Sequence, residues 1–230
     1  MKDLRRMLRA LVGRDWFPRL ELRCRTERFG SDYGGWDVAV SELGKDSVVY
    51  SFGIGEDVTF DVALIARFGL TVHAFDPTPR SLRWVEQQRL PPQFVLHDFG
   101  LADRDGTLSF YPPENAAHVS HTILDRAATR ARAINAPMRR LDSIMRELGH
   151  QRVDLLKLDI EGAEYGVIED LERCDRRPGQ ILVEFHHRFP GVGIAKTKAA
   201  LAAMRRMGYR LFAVSRSGAE YGFLLDAAPA

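Results

Sequence analysis

The stretch VVYSFGIGED at residues 48–57, followed by TVHAFDPTP at residues 71–79, decides the fold class. An apolar strand runs into a tight turn at Gly53 and Gly55, and a second strand ends on Asp76, about 20 residues further on. The first glycine suits a turn that a side chain would obstruct, and the second lets a ligand approach the backbone. A carboxylate at Asp76 can accept hydrogen bonds from both ribose hydroxyls. The stretch therefore predicts a site for an adenosine-containing cofactor.

The turn lacks the third glycine of a dinucleotide-binding fingerprint, and Glu56 and Asp57 stand in that region. Two carboxylates beside a diphosphate would cost Coulomb energy, on the order of 1 kcal/mol per close pair even in water. They suit a ligand with one adenosine, a cationic group and no phosphate, such as S-adenosylmethionine. In the alternative interpretation, each acid only caps the following helix, where negative charge favours the positive end of the helix dipole.

Composition narrows the class of protein. The 230 residues suit one α/β domain with a sizeable core, and the contents of hydrophobic (45%) and charged (28%) residues are ordinary. A net charge of +2 predicts no strong attraction to nucleic acid. No apolar run reaches the roughly 18 residues of a membrane span. Cys24 and Cys174 lie far apart and have no metal-ligand spacing, so we expect reduced thiols in a cytoplasmic protein.

The N-terminal sequence MKDLRRMLRALVGRDWF is basic and places apolar residues at helical spacing. It predicts a helix that packs on the domain or on a second copy of the chain in a homodimer, with a membrane-surface helix as the alternative. It lacks the continuous apolar core of a signal peptide. We therefore expect an N-terminal helix with a cap or substrate loop over residues 1–46, and one globular cofactor-binding domain over residues 47–230.

Strands and helices alternate along the rest of the chain. Five apolar strands are predicted, at residues 48–52, 71–75, 93–96, 153–158 and 181–185. Helices are predicted at residues 57–68, 79–90, 141–148, 163–171 and 195–207. The chain closes with two strands around an RSGA turn, which indicates an antiparallel hairpin. Residues 107–111 form a short predicted strand, and the stretch 30–36 reads as a loop. The pattern predicts an α/β fold with a mostly parallel sheet and helices on both faces.

Polar side chains follow each predicted strand, at the sheet edge where parallel sheets bind ligands. In strand order they are Gly53, Gly55, Glu56 and Asp57; Asp76 and Pro77; Asp98 and Phe99; Asp159 and Glu161; and Glu184, His186 and His187. This coincidence predicts one site. Asp98 is expected near the adenine amino group, with Phe99 or Leu101 covering the ring. Helix capping by Asp76 and a turn role for Asp98 are the structural alternatives.

Glu184, His186 and His187 form a second predicted cluster. A histidine beside carboxylates can act as a general base for a hydroxyl or amine. The same residue types can bind a divalent ion. Neither spacing is a recognised metal motif, so a divalent metal stays an alternative and no metal site is predicted.

Several motifs occur in the order typical of one protein family: YSFGIGEDVTFD at 50–61, FDPTP at 75–79, RRLDSI at 139–144, LKLDIEGAEY at 156–165 and VEFHH at 183–187. Over residues 33–226 the chain resembles the FkbM family of S-adenosylmethionine-dependent methyltransferases. The resemblance implies the Rossmann-like class I methyltransferase fold, a seven-stranded sheet whose last strand is antiparallel. It also implies methyl transfer, commonly to a hydroxyl of a sugar or other small metabolite.

The resemblance also implies roles for individual residues. Gly53 and Gly55 would line the methionine part of the cofactor, Asp76 would hold the ribose, and Asp159 and Glu161 would flank the transferring methyl group. Many class I methyltransferases carry an acidic residue two positions before the first glycine, where this chain has Ser51. Holding the cofactor's ammonium group would then fall to Glu56, Asp57 or Asp159.

The expected reaction is an in-line displacement in which an acceptor oxygen attacks the sulfonium methyl group. The protein must position, desolvate and deprotonate the acceptor, and His186 or Asp159 is the expected base. Acceptor contacts are expected from Tyr33, Trp36 and Glu184. The irregular segment 112–136 is a candidate lid.

Two other functions use the same sequence features. A nicotinamide-dependent oxidoreductase would share the strand, turn and helix, although it prefers the missing third glycine. A non-catalytic adenosyl-cofactor-binding module would need only the site. A nucleic-acid methyltransferase is disfavoured because LDIEG stands where base-methylating enzymes carry an Asn/Asp-Pro-Pro-aromatic motif.

Overall fold

The computed structural model describes residues 2–112 and 127–226. The strands are β1 (Thr26–Phe29), β2 (Trp36–Ala39), β3 (Val48–Phe52), β4 (Thr71–Phe75), β5 (Phe94–His97), β6 (Gly100–Leu101), β7 (Gly106–Phe110), β8 (Ile134–Arg139), β9 (Leu155–Leu158), β10 (Gln180–Glu184), β11 (Tyr209–Val214) and β12 (Glu220–Leu225). The helices are α1 (Lys2–Leu11), α2 (Thr59–Phe68), α3 (Pro79–Glu86), α4 (Leu141–Glu147), α5 (Glu164–Leu171) and α6 (Ile194–Arg206), with a 3-10 helix at Ala127–Arg132.

A seven-stranded sheet forms the centre of the fold, with the strand order β11-β12-β10-β9-β3-β4-β5. Neighbouring strands from β10 to β5 are parallel, and β12 runs antiparallel between β10 and β11. The expected mostly parallel sheet with a C-terminal antiparallel hairpin is therefore confirmed.

Helices cover both faces of this sheet. Apolar residues of α4, α5 and α6 pack with one face, and those of α2, α3 and strand β2 pack with the other. All four residues of β9 are buried. This burial on both faces explains why the sequence of a central parallel strand is an almost unbroken apolar run.

The strand order reverses between β3 and β9. From β3 the chain builds outwards through β4 and β5, and it returns on the other side of β3 through β9 and β10. In open α/β sheets the crevice at such a switch point, outside the carboxyl ends of the strands, is where ligands bind. The fold therefore places its crevice at the ends of β3 and β9.

Two smaller sheets were not expected from the sequence. Strands β1 and β2 form an antiparallel ribbon around the predicted loop, and Gln180 holds this ribbon because its side chain exchanges two hydrogen bonds with the backbone of Ala39, at 2.8 and 3.1 Å. Strands β6, β8 and β7 form a three-stranded sheet. Strands of two to six residues carry little periodic signal, and β6 and β8 also contain a glycine or a proline.

None of the helices within residues 2–112 and 127–226 has the length and apolar character needed to span a bilayer.

Candidate active site

A cavity of about 1190 Å³ opens at the carboxyl ends of the central strands. Most of the residues that the sequence predicted for the site line this cavity. Each strand end that was predicted to contribute does so, except the end of β5. The predicted residues in its lining are Tyr33, Trp36, Gly53, Gly55, Glu56, Asp57, Asp76, Pro77, Asp159, Glu161, Glu184 and His186. The sheet edge thus gathers residues that are up to 153 positions apart in the sequence, counting from Tyr33 to His186.

Asp98 and Phe99 do not line the cavity, which corrects their predicted place around the adenine. Asp98 is exposed. The Phe99 ring is buried against Phe75, with ring centres 5.3 Å apart, and it lies under the guanidinium of Arg139. Leu101, the other residue predicted to cover the adenine, does line the cavity.

His187 and Ser51 also lie away from the cavity lining. The His187 side chain is buried, with Nε2 3.9 Å from Oδ1 of Asp15. Burial, followed by the charge of Arg188, lowers the pKa of His187. His186 and His187 face different parts of the protein, so only His186 can act in the cavity. Ser51 is fully buried beneath the glycine turn.

The segment 113–126, which includes most of the candidate lid with His118, Ser120 and His121, lies outside the described residues.

Asp76 holds the glycine turn in place. Its Oδ2 accepts hydrogen bonds from the backbone amides of Ile54 and Gly55, at 3.2 and 3.0 Å. Its Oδ1 accepts from the backbone amide and hydroxyl of Thr78, at 2.9 and 2.6 Å. These four bonds use about the full acceptor capacity of a carboxylate. Asp76 therefore positions the turn, and a ribose hydroxyl could bind it only by replacing one of these donors.

Glu56 and Asp57 are engaged by neighbouring side chains. Glu56 accepts from Arg80 Nε at 2.8 Å. Asp57 accepts from the amide and hydroxyl of Thr59 at the start of α2, and from the Ser31 hydroxyl at 2.7 Å. Burial would raise the pKa of Asp57, but the hydrogen bonds from Thr59 and Ser31 lower it overall. Asp57 thus holds Thr59, the first residue of α2, while the N-cap position itself is Val58 and has no side-chain cap, and Asp57 still lines the cavity.

Carboxylates surround His186 at the floor of the cavity. Asp159, Glu184 and His186 each place one polar atom within 4.8 Å of the others. Glu164, which is fully buried, accepts from the His186 backbone amide at 2.9 Å, and its Oε1 lies 3.3 Å from His186 Nδ1. The other ring nitrogen, Nε2, lies 3.4 Å from Glu161. Glu161 has a φ of 52°, a strained value for a residue with a side chain.

This environment raises the pKa values of both His186 and Glu184, for different reasons. Burial alone would lower the pKa of His186, but the hydrogen bond and charge of Glu164, with the charges of Glu161 and Glu184, raise it to about 10. Burial and then the charge of Asp159 raise the pKa of Glu184 to about 8. His186 is therefore an imidazolium at neutral pH and a poor proton acceptor, contrary to its predicted role as the base. Glu184 binds a proton with an affinity near neutral pH.

The same donor set, two carboxylates and an imidazole, is chemically able to hold a divalent ion. The neighbouring carboxylates raise the pKa of this imidazole, so a proton and a metal ion would compete for it. We assign no metal to the cluster.

Lys157 is a residue of the site that the sequence analysis treated only as an interruption of a buried strand. It lines the cavity with its side chain buried, and Nζ donates to the carbonyl oxygens of Gly53 at 2.6 Å and Phe52 at 3.3 Å. Nζ also lies 4.0 Å from Asp159 Oδ2. A charged side chain in a strand buried on both faces needs such partners, and this requirement was the available signal.

Comparison with known families gives one match over most of the chain. Residues 47–211 match the model of the methyltransferase FkbM domain.

Individual relatives agree with this match. The chain is 30% identical over 213 residues to the probable methyltransferase-like protein 24 of Rattus norvegicus, covering 87% of this chain and 50% of that protein. It is 25% identical over 140 residues to the hexuronic acid methyltransferase AglP of Haloferax volcanii, covering 57% of this chain and 56% of that protein. The chain thus spans about half the length of the curated relatives it matches.

A solved structure shares the fold. The crystal structure of methyltransferase FkbM from Methylobacillus flagellatus superimposes with a TM-score of 0.50 at 12% identity, covering 79% of this chain and 44% of that chain.

Proposed function

The chain belongs to the methyltransferase FkbM domain family, and on this premise we propose that it transfers a methyl group from S-adenosylmethionine to a hydroxyl oxygen of a sugar or another small metabolite. The proposal rests above all on one observation. The cavity at the switch point combines the glycine turn with a lining rich in carboxylates, namely Glu56, Asp57, Asp159, Glu161, Glu184 and Glu220.

The residues present fit this cofactor. Its sulfonium and ammonium groups are positive and it carries no phosphate, so the carboxylates attract it and would repel a dinucleotide. The turn at Gly53 and Gly55 lines the cavity, where its backbone can face the methionine portion, and Leu101 offers an apolar surface for the adenine. Asp61, whose Oδ1 is buried and has no hydrogen-bond partner among the described residues, offers a further anionic group. When bound, S-adenosylmethionine would supply an electrophilic methyl group.

Proton removal from the acceptor is assigned to Glu184. A carboxylate with a pKa near the operating pH balances availability of the base against its strength. Glu184 lies beside Asp159 on the cavity floor, where its pKa is about 8. His186 keeps its own proton, and its positive charge favours the ionised form of Glu184.

Positioning and desolvation of the acceptor are assigned to the aromatic residues of the lining. Trp36 is buried, Tyr33 is 89% exposed at the rim, and the Phe189 ring centre lies 4.8 Å from that of His186. Such surfaces bind the apolar faces of a sugar ring and exclude water from the reacting atoms.

The acceptor class is inferred from two sources. One relative is named a hexuronic acid methyltransferase, which favours a sugar as the acceptor. The carboxylate-rich lining disfavours an anionic acceptor. We therefore favour an uncharged sugar or polyol.

Two measurements test the proposal. Calorimetric titration of the protein with S-adenosylhomocysteine and with NAD should show binding of the first alone. A radiolabelled methyl-transfer screen against sugars, lipids, small metabolites and peptides, with and without magnesium, should then show a labelled sugar or small metabolite. Binding of NAD alone would favour the oxidoreductase, and cofactor binding without transfer to any acceptor would favour the binding module.

A further inference from the structure

Asp61 is a buried acid beside the glycine turn to which neither the motifs nor the predicted roles gave a function. It lies in the first turn of α2, is only 2% exposed, and lines the cavity. Its Oδ1 atom is buried and has no hydrogen-bond partner within residues 2–112 and 127–226. The hydroxyl oxygen of Ser51, on the adjoining strand β3, is also buried and has no hydrogen-bond partner at standard distance among the same residues.

Such atoms are costly. A buried carboxylate oxygen without a donor loses its hydration and gains nothing in return. Within the described part of the chain, no lysine, arginine or histidine lies within 4.0 Å of Asp61, and the nearby Lys157 donates instead to the carbonyls of Phe52 and Gly53. Burial raises the pKa of Asp61, and the charge of Lys157 and the Ser51 hydroxyl only oppose this effect. Among these residues, the Asp61 carboxylate lacks a cationic donor within salt-bridge distance.

The residues around Asp61 indicate which kind of chemical group would donate to its carboxylate. An alkylammonium group carries one positive charge and three N–H donors, so it is suited to pair with a carboxylate such as that of Asp61. Ser51 occupies the position where many class I methyltransferases carry an acid, two residues before the first glycine. In this chain a carboxylate is available instead from α2, where Asp61 lines the same cavity as Gly53.

We propose that Asp61 binds the α-ammonium group of the methionine portion of S-adenosylmethionine, and that Ser51, which is buried off the cavity lining, only positions the Asp61 carboxylate. This inference rests on the proposed function, and it replaces Glu56, Asp57 and Asp159 as the expected partners of that group. Glu56 and Asp57 already have donors in Arg80, Thr59 and Ser31.

A purely structural role is the competing explanation. An acid in the first turn of a helix stabilises the helix through its dipole. In that case the conservative Asp61→Asn variant would lower the melting temperature without affecting ligand binding. If Asp61 instead serves to bind a ligand, replacing its buried carboxylate, whose Oδ1 has no partner among the described residues, leaves the melting temperature of the free protein unchanged or raises it.

The experiment is calorimetric titration of the wild type, Asp61→Asn and Ser51→Ala with two ligands. S-adenosylhomocysteine carries the ammonium group, and 5′-methylthioadenosine lacks the whole amino-acid portion. We expect Asp61→Asn to weaken S-adenosylhomocysteine binding roughly 10- to 100-fold, the range for a lost hydrogen bond to a charged group. We expect Ser51→Ala to weaken it about 3- to 10-fold, the range for a neutral partner. Both variants should bind 5′-methylthioadenosine as the wild type does, and so should Glu169→Gln, which removes an exposed carboxylate on α5.

The possible failures can be told apart. If the wild type binds S-adenosylhomocysteine and Asp61→Asn binds it within twofold as tightly, the role of Asp61 is overturned while the proposed function stands. An equal loss for both ligands also overturns it, because the damage would then not concern the ammonium group. If the wild type binds neither ligand, the proposed function itself is overturned.

Discussion

Gly53 and Asp159 pass so close to each other that a Cβ atom on Gly53 would lie 1.7 Å from the carbonyl oxygen of Asp159. The contact joins the turn after β3 to the acidic segment after β9, across the switch point of the sheet. Gly53 also has a φ of 76°, a region that residues with side chains rarely adopt. The protein itself therefore requires glycine here, whatever ligand lies over the turn.

Substitution of Gly53 should consequently destabilise the fold by more than its backbone angle alone explains. Gly53→Ala is expected to lower the free energy of unfolding by more than about 3 kcal/mol, because a left-handed alanine costs about 1–2 kcal/mol and the clash adds to it. Gly149→Ala is the matched control, since Gly149 has a φ of 73° and, beyond its chain neighbours, no heavy atom of the described residues lies within 4 Å of where its Cβ would stand. Urea denaturation of both variants measures the difference. If both variants lost the same free energy of unfolding, the close contact between Gly53 and Asp159 would contribute nothing to the cost of the substitution.

The large elements of the fold were predictable because burial leaves a clear pattern in the sequence. Strands β3 and β4 were placed at their observed residues, since parallel strands covered on both faces must be apolar almost throughout. The ribbon of β1 and β2 was missed because its four-residue strands pair through tertiary contacts, such as those of Gln180 with Ala39.

The site was predictable to the level of which residues meet, and less so in their roles. The sequence does not show that the carboxylate of Asp76 accepts hydrogen bonds from backbone amides. Nor does it show which of the adjacent histidines, His186 or His187, faces the cavity. The proton affinity of His186 depends on Glu164, which meets it only through the packing of α5 on β10. These contacts form between residues that are distant in the sequence, so no local sequence pattern predicts them.

Asp76 should matter for the stability of the turn as well as for cofactor binding. Asp76→Asn replaces one acceptor oxygen by an NH₂ group, which cannot accept from the amides and hydroxyl that now bind it. We expect a loss of about 1–3 kcal/mol in the free energy of unfolding. We also expect weaker binding of S-adenosylhomocysteine, measured by calorimetry. Asp175→Asn, at an exposed aspartate, is the control and should change neither quantity. Weaker binding without any loss of stability would instead favour a direct ribose contact.

A cluster of half-buried histidines should make the protein sensitive to acid. His73 Nδ1 lies 3.1 Å from His97 Nε2, and the His150 ring packs on His73. Burial is the main cause that lowers the pKa of all three, for His73 from 6.5 to about 4. Between these two values the unfolded chain binds more protons than the folded one, so stability falls as the pH drops from 6.5 towards 4.

Urea denaturation from pH 7.5 to 4.5 measures this loss. His73→Phe removes one of the titrating groups and keeps an aromatic ring, so its stability should depend less steeply on pH below 6.5. An unchanged slope in this variant would mean that acid sensitivity comes from other groups.

Turnover should depend on the ionisation of Glu184. A base must be deprotonated to act, so wild-type kcat is expected to rise with pH and to level off above about 8. Glu184→Gln should lower kcat about 10²- to 10⁴-fold, the usual contribution of a general base, and leave a flat pH profile. Methyl-transfer rates between pH 6 and pH 10 provide the measurement.

His186→Asn separates the two candidate bases by the direction of the shift. The positive charge of His186 lowers the pKa of Glu184, so its removal should move the rise in kcat to higher pH while the pH dependence itself remains. If His186 were the base, the same variant would lose turnover and show no rise, and Glu184→Gln would retain most of its activity. A rise of kcat with pH that persists in His186→Asn and is absent in Glu184→Gln would therefore show that Glu184 takes the proton, and the reverse result would show that His186 does.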